Sequence, residues 1–251
     1  MSQAKVTSAE VAALAGVSQS AVSRVFTPGA SASEKTALKV RQAAMKLGYR
    51  PNSIARAMVS GKSRIIGLVV AYLENQFYPE ALEKLSAMLQ DRGYHVLIFM
   101  ANTATDNLDE ILGEILDYQV DGIVAASVAL SSQLLGRCQN AGVPVVLFNR
   151  SQDLQSLSSV TSDNLQGGRK VAEFLLASAP NRIGYIAGWE GASTQRDREF
   201  GFRQRLAEAG RDIDLRMIGN FHMDSARQAT LEMFDRKAPP DAIFVANDHM
   251  A

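Results

Sequence analysis

From Arg64 onward, short apolar runs alternate with longer stretches whose apolar residues recur at helical spacing, and this pattern admits little besides parallel strands joined by crossover helices. Strands are expected at 65–71, 95–100, 122–127 and 144–148. Leu82, Leu85 and Leu89 form one helical stripe between them, and Leu108, Ile111, Leu112 and Ile115 another. A second series of strands is expected at 159–163, 183–187, 217–221 and 242–246, with helices opening near Asn164, Thr194 and Ser225. Two similar α/β halves are therefore predicted. Open parallel sheets hold ligands beyond the carboxyl ends of their strands. The residues at those ends are Asn75, Phe77, Tyr78, Asn149, Arg150, Asp163, Arg198, Phe221, Asn247 and Asp248. Aromatic faces bordered by Arg, Asn and Asp suit a polyhydroxylated ligand, although loop ends are polar in most proteins.

Residues 1–62 are a different kind of sequence. They carry nine Lys/Arg against two Asp/Glu, whereas residues 63–251 carry 17 against 24, so a net charge of zero conceals a basic head on an acidic body. Such a head suits a polyanion, and a merely solvated basic face is the alternative. Thr7-Ser8-Ala9-Glu10 has capping-box spacing, and Val11, Leu14 and Ala15 follow at helical spacing until Gly16. Ser18 can cap a second helix with Ala21, Val22 and Val25 inward and Gln19, Ser20, Ser23 and Arg24 outward. A third helix opens near Ser33 and carries Val40, Ala43, Ala44 and Leu47 before Gly48. Helix, glycine turn and helix is the geometry of a major-groove reader. There Arg24 could offer guanine a two-pronged donor and Gln19 could pair with adenine. A three-helix protein-interaction module has the same periodicity.

Several classes fall away. At 251 residues two domains are expected, and a 47% hydrophobic share fits a folded, soluble chain. A single cysteine, Cys138, allows no internal disulfide and fits a reducing compartment, with cytoplasm the default. Neither a signal-peptide pattern nor an apolar run long enough to span a bilayer is present, so no membrane partner is expected. Gly61-Lys62-Ser63 imitates the end of a phosphate loop, but Arg56 stands where its first glycine belongs. There is no Gly-x-Ser-x-Gly elbow, no Gly-x-Gly-x-x-Gly loop and no His/Cys metal cluster, and His95, His222 and His249 are scattered. No catalytic residue, metal or cofactor is expected. Asp248-His249 reads as loop.

The run Val6-Thr7, Val11-Ala12, Ala15-Gly16-Val17-Ser18 and Val22-Ser23-Arg24-Val25, followed by Leu47-Gly48-Tyr49-Arg50-Pro51-Asn52 and Ala55-Arg56, closely resembles the lactose-repressor (LacI/GalR) family. The body continues the likeness in Asn75-Gln76-Phe77-Tyr78, Val120-Asp121-Gly122-Ile123, Gly142-Val143-Pro144-Val145-Val146, Asp163-Asn164 with Gly167, Arg198-Glu199-Phe200-Gly201-Phe202 and Val245-Ala246-Asn247-Asp248.

The resemblance implies an all-α helix-turn-helix head at 1–50, a hinge helix and linker at 51–62, and an effector-binding and dimerisation domain at 63–251. That domain would be similar to periplasmic sugar-binding proteins, with α/β subdomains at 63–157 and 158–251. It implies DNA contacts from Thr7, Ser18, Gln19, Ser20, Ser23, Arg24 and Thr27, with Gln19, Ser20 and Arg24 as base readers. From the hinge it adds Asn52, Ala55 and Met58, the last occupying the position of a leucine wedge. In the body it implies effector contacts from Asn75, Phe77, Tyr78, Arg150, Arg198, Phe221 and Asn247. The implied function is a homodimeric repressor that reads double-stranded operator DNA under control of a sugar-like effector, the alternative being a small-molecule-binding protein without regulatory DNA binding. The family pattern continues past Ala251, so the resemblance also implies an incomplete second subdomain, in a fragment or a truncated product.

Overall fold

Helix α1 (Ser8–Ala15) begins where it does because Thr7 and Glu10 cap each other: the Glu10 carboxylate accepts from the Thr7 amide at 2.7 Å, and the Glu10 amide donates to the Thr7 hydroxyl. Gly16 ends it at φ 65°, a left-handed conformation that an L side chain resists. Ser18 caps α2 (Gln19–Phe26) and Ser33 caps α3 (Glu34–Leu47), which Gly48 stops at φ 67°. Val11, Ala12, Ala15, Val22, Val40, Ala43 and Ala44 form the head core, sealed by Phe26 and Tyr49 with ring centres 5.9 Å apart. Leu14 departs from the expected inward stripe. It is 47% exposed, because α1 turns Ala12 rather than Leu14 toward its neighbours.

This computed structural model describes residues 6–27, 29–51, 61–101, 108–128, 130–152 and 157–251. The chain divides into two compact units, Met1–Ser63 and Arg64–Ala251. In the second, β1 (Ile65–Val70), α4 (Phe77–Asp91), β2 (His95–Met100), α5 (Leu108–Asp117), β3 (Gly122–Ala126), α6 (Ser132–Asn140), β4 (Val145–Phe148) and β5 (Ser158–Val160) build a parallel sheet in the order β2-β1-β3-β4-β5. Next come α7 (Asn164–Ala177), β6 (Ile183–Ala187), α8 (Ser193–Glu208), β7 (Leu215–Ile218), α9 (Met223–Phe234) and β8 (Ala242–Val245), which give a second parallel sheet ordered β7-β6-β8. Both of the expected α/β halves are therefore formed.

Strand β1 shows why its sequence is an unbroken apolar run. Val69 packs into one cluster with Leu112, Ile115, Ile123 and Leu147, while Leu68 and Val70 pack into another with Tyr78 and Ala126, so both faces of the sheet are covered. In the second half Ile183, Tyr185, Ile186, Phe202, Leu206 and Met233 form the core. One strand changes sides. The strand expected at 159–163 to open the second half ends at Val160 and pairs with β4, closing the first sheet. The strand expected at 217–221 is β7, which stops at Ile218. Asn220 and Phe221 follow it with φ of 54° and 63°, left-handed values that no strand accommodates.

Candidate nucleic-acid interface and ligand cleft

On the head, the exposed face of α2 carries Gln19, Ser20, Ser23 and Arg24 in a row backed by buried Val22. Arg24 is exposed, so its guanidinium can be reached by an outside acceptor. Gln19 donates to the Ser8 hydroxyl at 2.8 Å, tying the start of α2 to the start of α1. Ser18 and Ser20 share a 3.0 Å hydroxyl contact, and the Thr27 hydroxyl donates to the Ser23 carbonyl at 2.9 Å. Thr7 is committed to its capping box. The head thus places Ser18, Gln19, Ser20, Ser23, Arg24 and Thr27 on α2 and its two caps and Thr7 at the cap of α1, all exposed. Asn52, Ala55 and Met58 lie outside the described residues.

In the body, a cavity of about 500 Å³ opens beyond the carboxyl ends of the strands. Asn75, Phe77, Tyr78, Arg150, Arg198, Phe221 and Asn247 all line it, as do Asn149, Asp163 and Asp248. Its walls are organised by hydrogen bonds. Asn75 Oδ1 accepts from the Phe77 amide at 2.9 Å, Asn149 Nδ2 donates to the Tyr78 hydroxyl at 2.8 Å, and that hydroxyl also meets the Ser127 hydroxyl. Phe77 stacks on Phe148 at 5.8 Å with the rings 7° from parallel. From α8, Arg198 donates through Nε to Asn164 Oδ1 at 2.8 Å and through Nη1 to the Ala246 carbonyl at 2.6 Å, linking α8, α7 and the end of β8. Burial lowers its pKa from the usual guanidinium range. Asn247 accepts from the Met250 amide at 3.0 Å.

Phe221 presents its ring to the cleft from a left-handed backbone, and Gly188 supplies the space, since a Cβ there would sit 2.1 Å from the ring. Buried Gln195 fixes this corner by accepting from the Gly188 amide at 2.6 Å and donating to Glu199 at 2.9 Å. At the mouth, the Arg150 guanidinium lies over the Trp189 ring, 5.2 Å from its centre, and the Ser151 amide donates to the Ser193 hydroxyl at 2.9 Å.

Tyr72, Ser162, Asn164 and Thr194 also line the cleft, although none is a sequence-predicted site residue. Each lies two residues past a strand or in the first turn of a helix, and that position was the available signal. Burial, followed by the neighbouring Tyr78 hydroxyl, raises the Tyr72 pKa well above the phenol range, so it stays a neutral hydroxyl. Burial likewise raises the pKa of the Cys138 thiol, far from this chemistry in the core under α6.

Two family models match the chain: bacterial regulatory proteins, lacI family, over residues 7–52, and periplasmic binding proteins and sugar binding domain of the LacI family, over residues 63–251. The HTH-type transcriptional regulator CelR of Thermobifida fusca is 31% identical over 96% of this chain and 73% of its own length. A solved complex of the regulator CelR with cellobiose has a TM-score of 0.67 at 31% identity, over 98% of this chain and 75% of that one. The lac repressor dimer bound to operator and the anti-inducer ONPF has a TM-score of 0.86 at 26% identity, over 98% of this chain and 75% of that one.

Proposed function

The chain belongs to the LacI family of bacterial regulatory proteins, and from that premise we propose that it is a sequence-specific DNA-binding transcription repressor whose operator affinity is set by a sugar-like small molecule. The observation that carries this reading is the α2 face, where Gln19, Ser20, Ser23 and Arg24 stand exposed on a separate, strongly basic unit. A short polar helix face on a rigid three-helix core can enter the major groove. Arg24 would take guanine and Gln19 would exchange its Ser8 contact for a base edge, each good pair worth about 1–3 kcal/mol of discrimination.

The chain would act in the cytoplasm as a homodimer, each head reading one half of a near-palindrome, with residues 51–62 joining head to sensor. The body at 63–251 would sense rather than catalyse. Its cleft offers neutral hydroxyl and amide groups, two guanidiniums and aromatic faces, a set suited to a carbohydrate.

Selection from a random DNA pool should return a two-fold symmetric site, and Arg24→Ala should erase its sequence preference while ligand binding in the cleft persists. Recovery of no consensus by the full chain would sink the reading. It would leave a small-molecule-binding protein without regulatory DNA binding.

A further inference from the structure

The cleft holds two arginines that form no ion pair with a carboxylate among the described residues. Arg150 is 9% exposed and Arg198 is half-buried, both line the cavity, and neither forms an ion pair among the described residues. Arg150 meets the Tyr72 hydroxyl and the Trp189 ring, both neutral, and Arg198 is held by a side-chain amide and a backbone carbonyl. The two carboxylates at the cleft are engaged elsewhere. Asp163 accepts from the Gln166 amide at 2.9 Å as the cap of α7, and Asp248 accepts from the His249 amide at 3.1 Å. Both are exposed at the rim, although Asp248 still acts on Arg198 through space. Helix α8 adds a positive end, because it opens without a side-chain cap and its second residue, Thr194, lines the cavity.

A neutral sugar would match the hydroxyl and amide donors but would leave the Arg150 fork without an anion, and burying a guanidinium unpaired is costly. We propose that the cleft takes an anionic sugar derivative, one bearing a carboxylate or phosphate group that Arg150 grips, with the sugar ring on the aromatic wall. This rests on the reading of the cleft as the effector site.

The test uses the full chain and aldohexoses of gluco, galacto and manno configuration, each supplied as the neutral sugar, the uronate and the 6-phosphate. Binding is measured by calorimetry and by the fluorescence of Trp189, the single tryptophan of the chain. In at least one series an anion should bind about tenfold or more tightly than its neutral parent, with an advantage that shrinks as salt rises. Uronate preference assigns a carboxylate, and 6-phosphate preference assigns a phosphate.

Arg150→Gln should bring the anion down to the affinity of the neutral parent, and Arg150→Lys should restore part of the difference. Thermal melting of both variants checks that they fold. Neutral sugars binding as tightly as the anions in every series, or no anion binding in any, would overturn the proposal. Operator selection on the same preparation separates the two failures: a recovered operator without anion preference overturns this inference alone, and the absence of any operator overturns the regulator.

Discussion

Phe221 is the residue whose cost and use are most visible. Its φ of 63° puts a bulky side chain in the left-handed region, a strain of about 1–3 kcal/mol that surrounding structure must hold in place. What holds it is Gly188, whose missing Cβ leaves room for the ring, with the Gly188 amide fixed by Gln195. Gly188→Ala should therefore displace the ring, weaken ligand binding about tenfold in calorimetry, and cost about 1–3 kcal/mol in urea unfolding. Gly136→Ala is the control. That glycine sits inside α6 with nothing within 4 Å of a new Cβ, so alanine should stabilise by about 0.5–1 kcal/mol. An unchanged ligand affinity in Gly188→Ala would detach Phe221 from the site. In the sequence, Phe221 was legible as a strand-end residue and as a position in a family pattern, but its left-handed backbone was not, because no local rule places phenylalanine at positive φ. Tyr72 and Thr194 were not legible as site residues, since one polar residue after a strand or at a helix start looks like any surface loop. Gln195 was hidden more deeply: it is 1% exposed, and its value lies in partners that only the fold assembles.

At the scale of elements, α7 and α8 pack backbone to backbone. A Cβ on Gly168 would lie 2.1 Å from the Arg198 carbonyl, and one on Gly201 would lie 2.0 Å from the Leu165 carbonyl. Gly168→Ala should cost about 1–3 kcal/mol or more in urea unfolding and should weaken ligand binding, because the atom it strikes belongs to Arg198. Helical periodicity marked these two helices correctly, but periodicity counts apolar residues and is silent on which glycine admits a neighbour. Gly167 stood in the family pattern, yet it faces open space while Gly168 makes the close approach.

Strand limits were misjudged for a related reason. The runs at 159–163 and 217–221 look extended, but β5 follows its pairing with β4, and β7 ends where Asn220 turns left-handed. Helix α8 is also fastened to β7 by Glu199, which accepts from Arg216 Nε at 2.8 Å and from Arg203 Nε at 2.9 Å. Burial alone would raise the Glu199 pKa, but the hydrogen bonds from Arg216 and Arg203 outweigh it and hold the carboxyl below its ordinary value of 4.5. A depressed carboxylate contributes stability that is fully present above the unfolded value and is lost as pH falls through the native one. Stability should thus decline as pH drops below 4.5, and Glu199→Gln should flatten part of that decline while lowering stability at neutral pH. Parallel pH profiles for the two proteins would contradict the assignment.

The whole molecule joins a basic reader to an acidic sensor, and membership of one regulatory family makes a quantitative demand on the pair. If a ligand in the cleft changes operator affinity by some factor, operator DNA must change ligand affinity by the same factor, because both measure one coupling free energy. Useful control needs about 1–3 kcal/mol, or about 5- to 150-fold. The measurement is a closed cycle: operator affinity with and without saturating ligand, and ligand affinity with and without saturating operator, at one salt concentration. Fixed salt is essential, because each phosphate neutralised by the head contributes about −0.9 to the slope of log affinity against log salt, and a small mismatch in ionic strength would imitate coupling. The two ratios should agree and should exceed about fivefold. Arg24→Ala should abolish the operator half of the cycle, whereas Arg198→Ala should abolish the ligand half. Ratios of one on both sides, in a chain that still binds operator and ligand, would mean that the cleft does not govern the head. The direction of the change tells whether ligand releases the operator or tightens it.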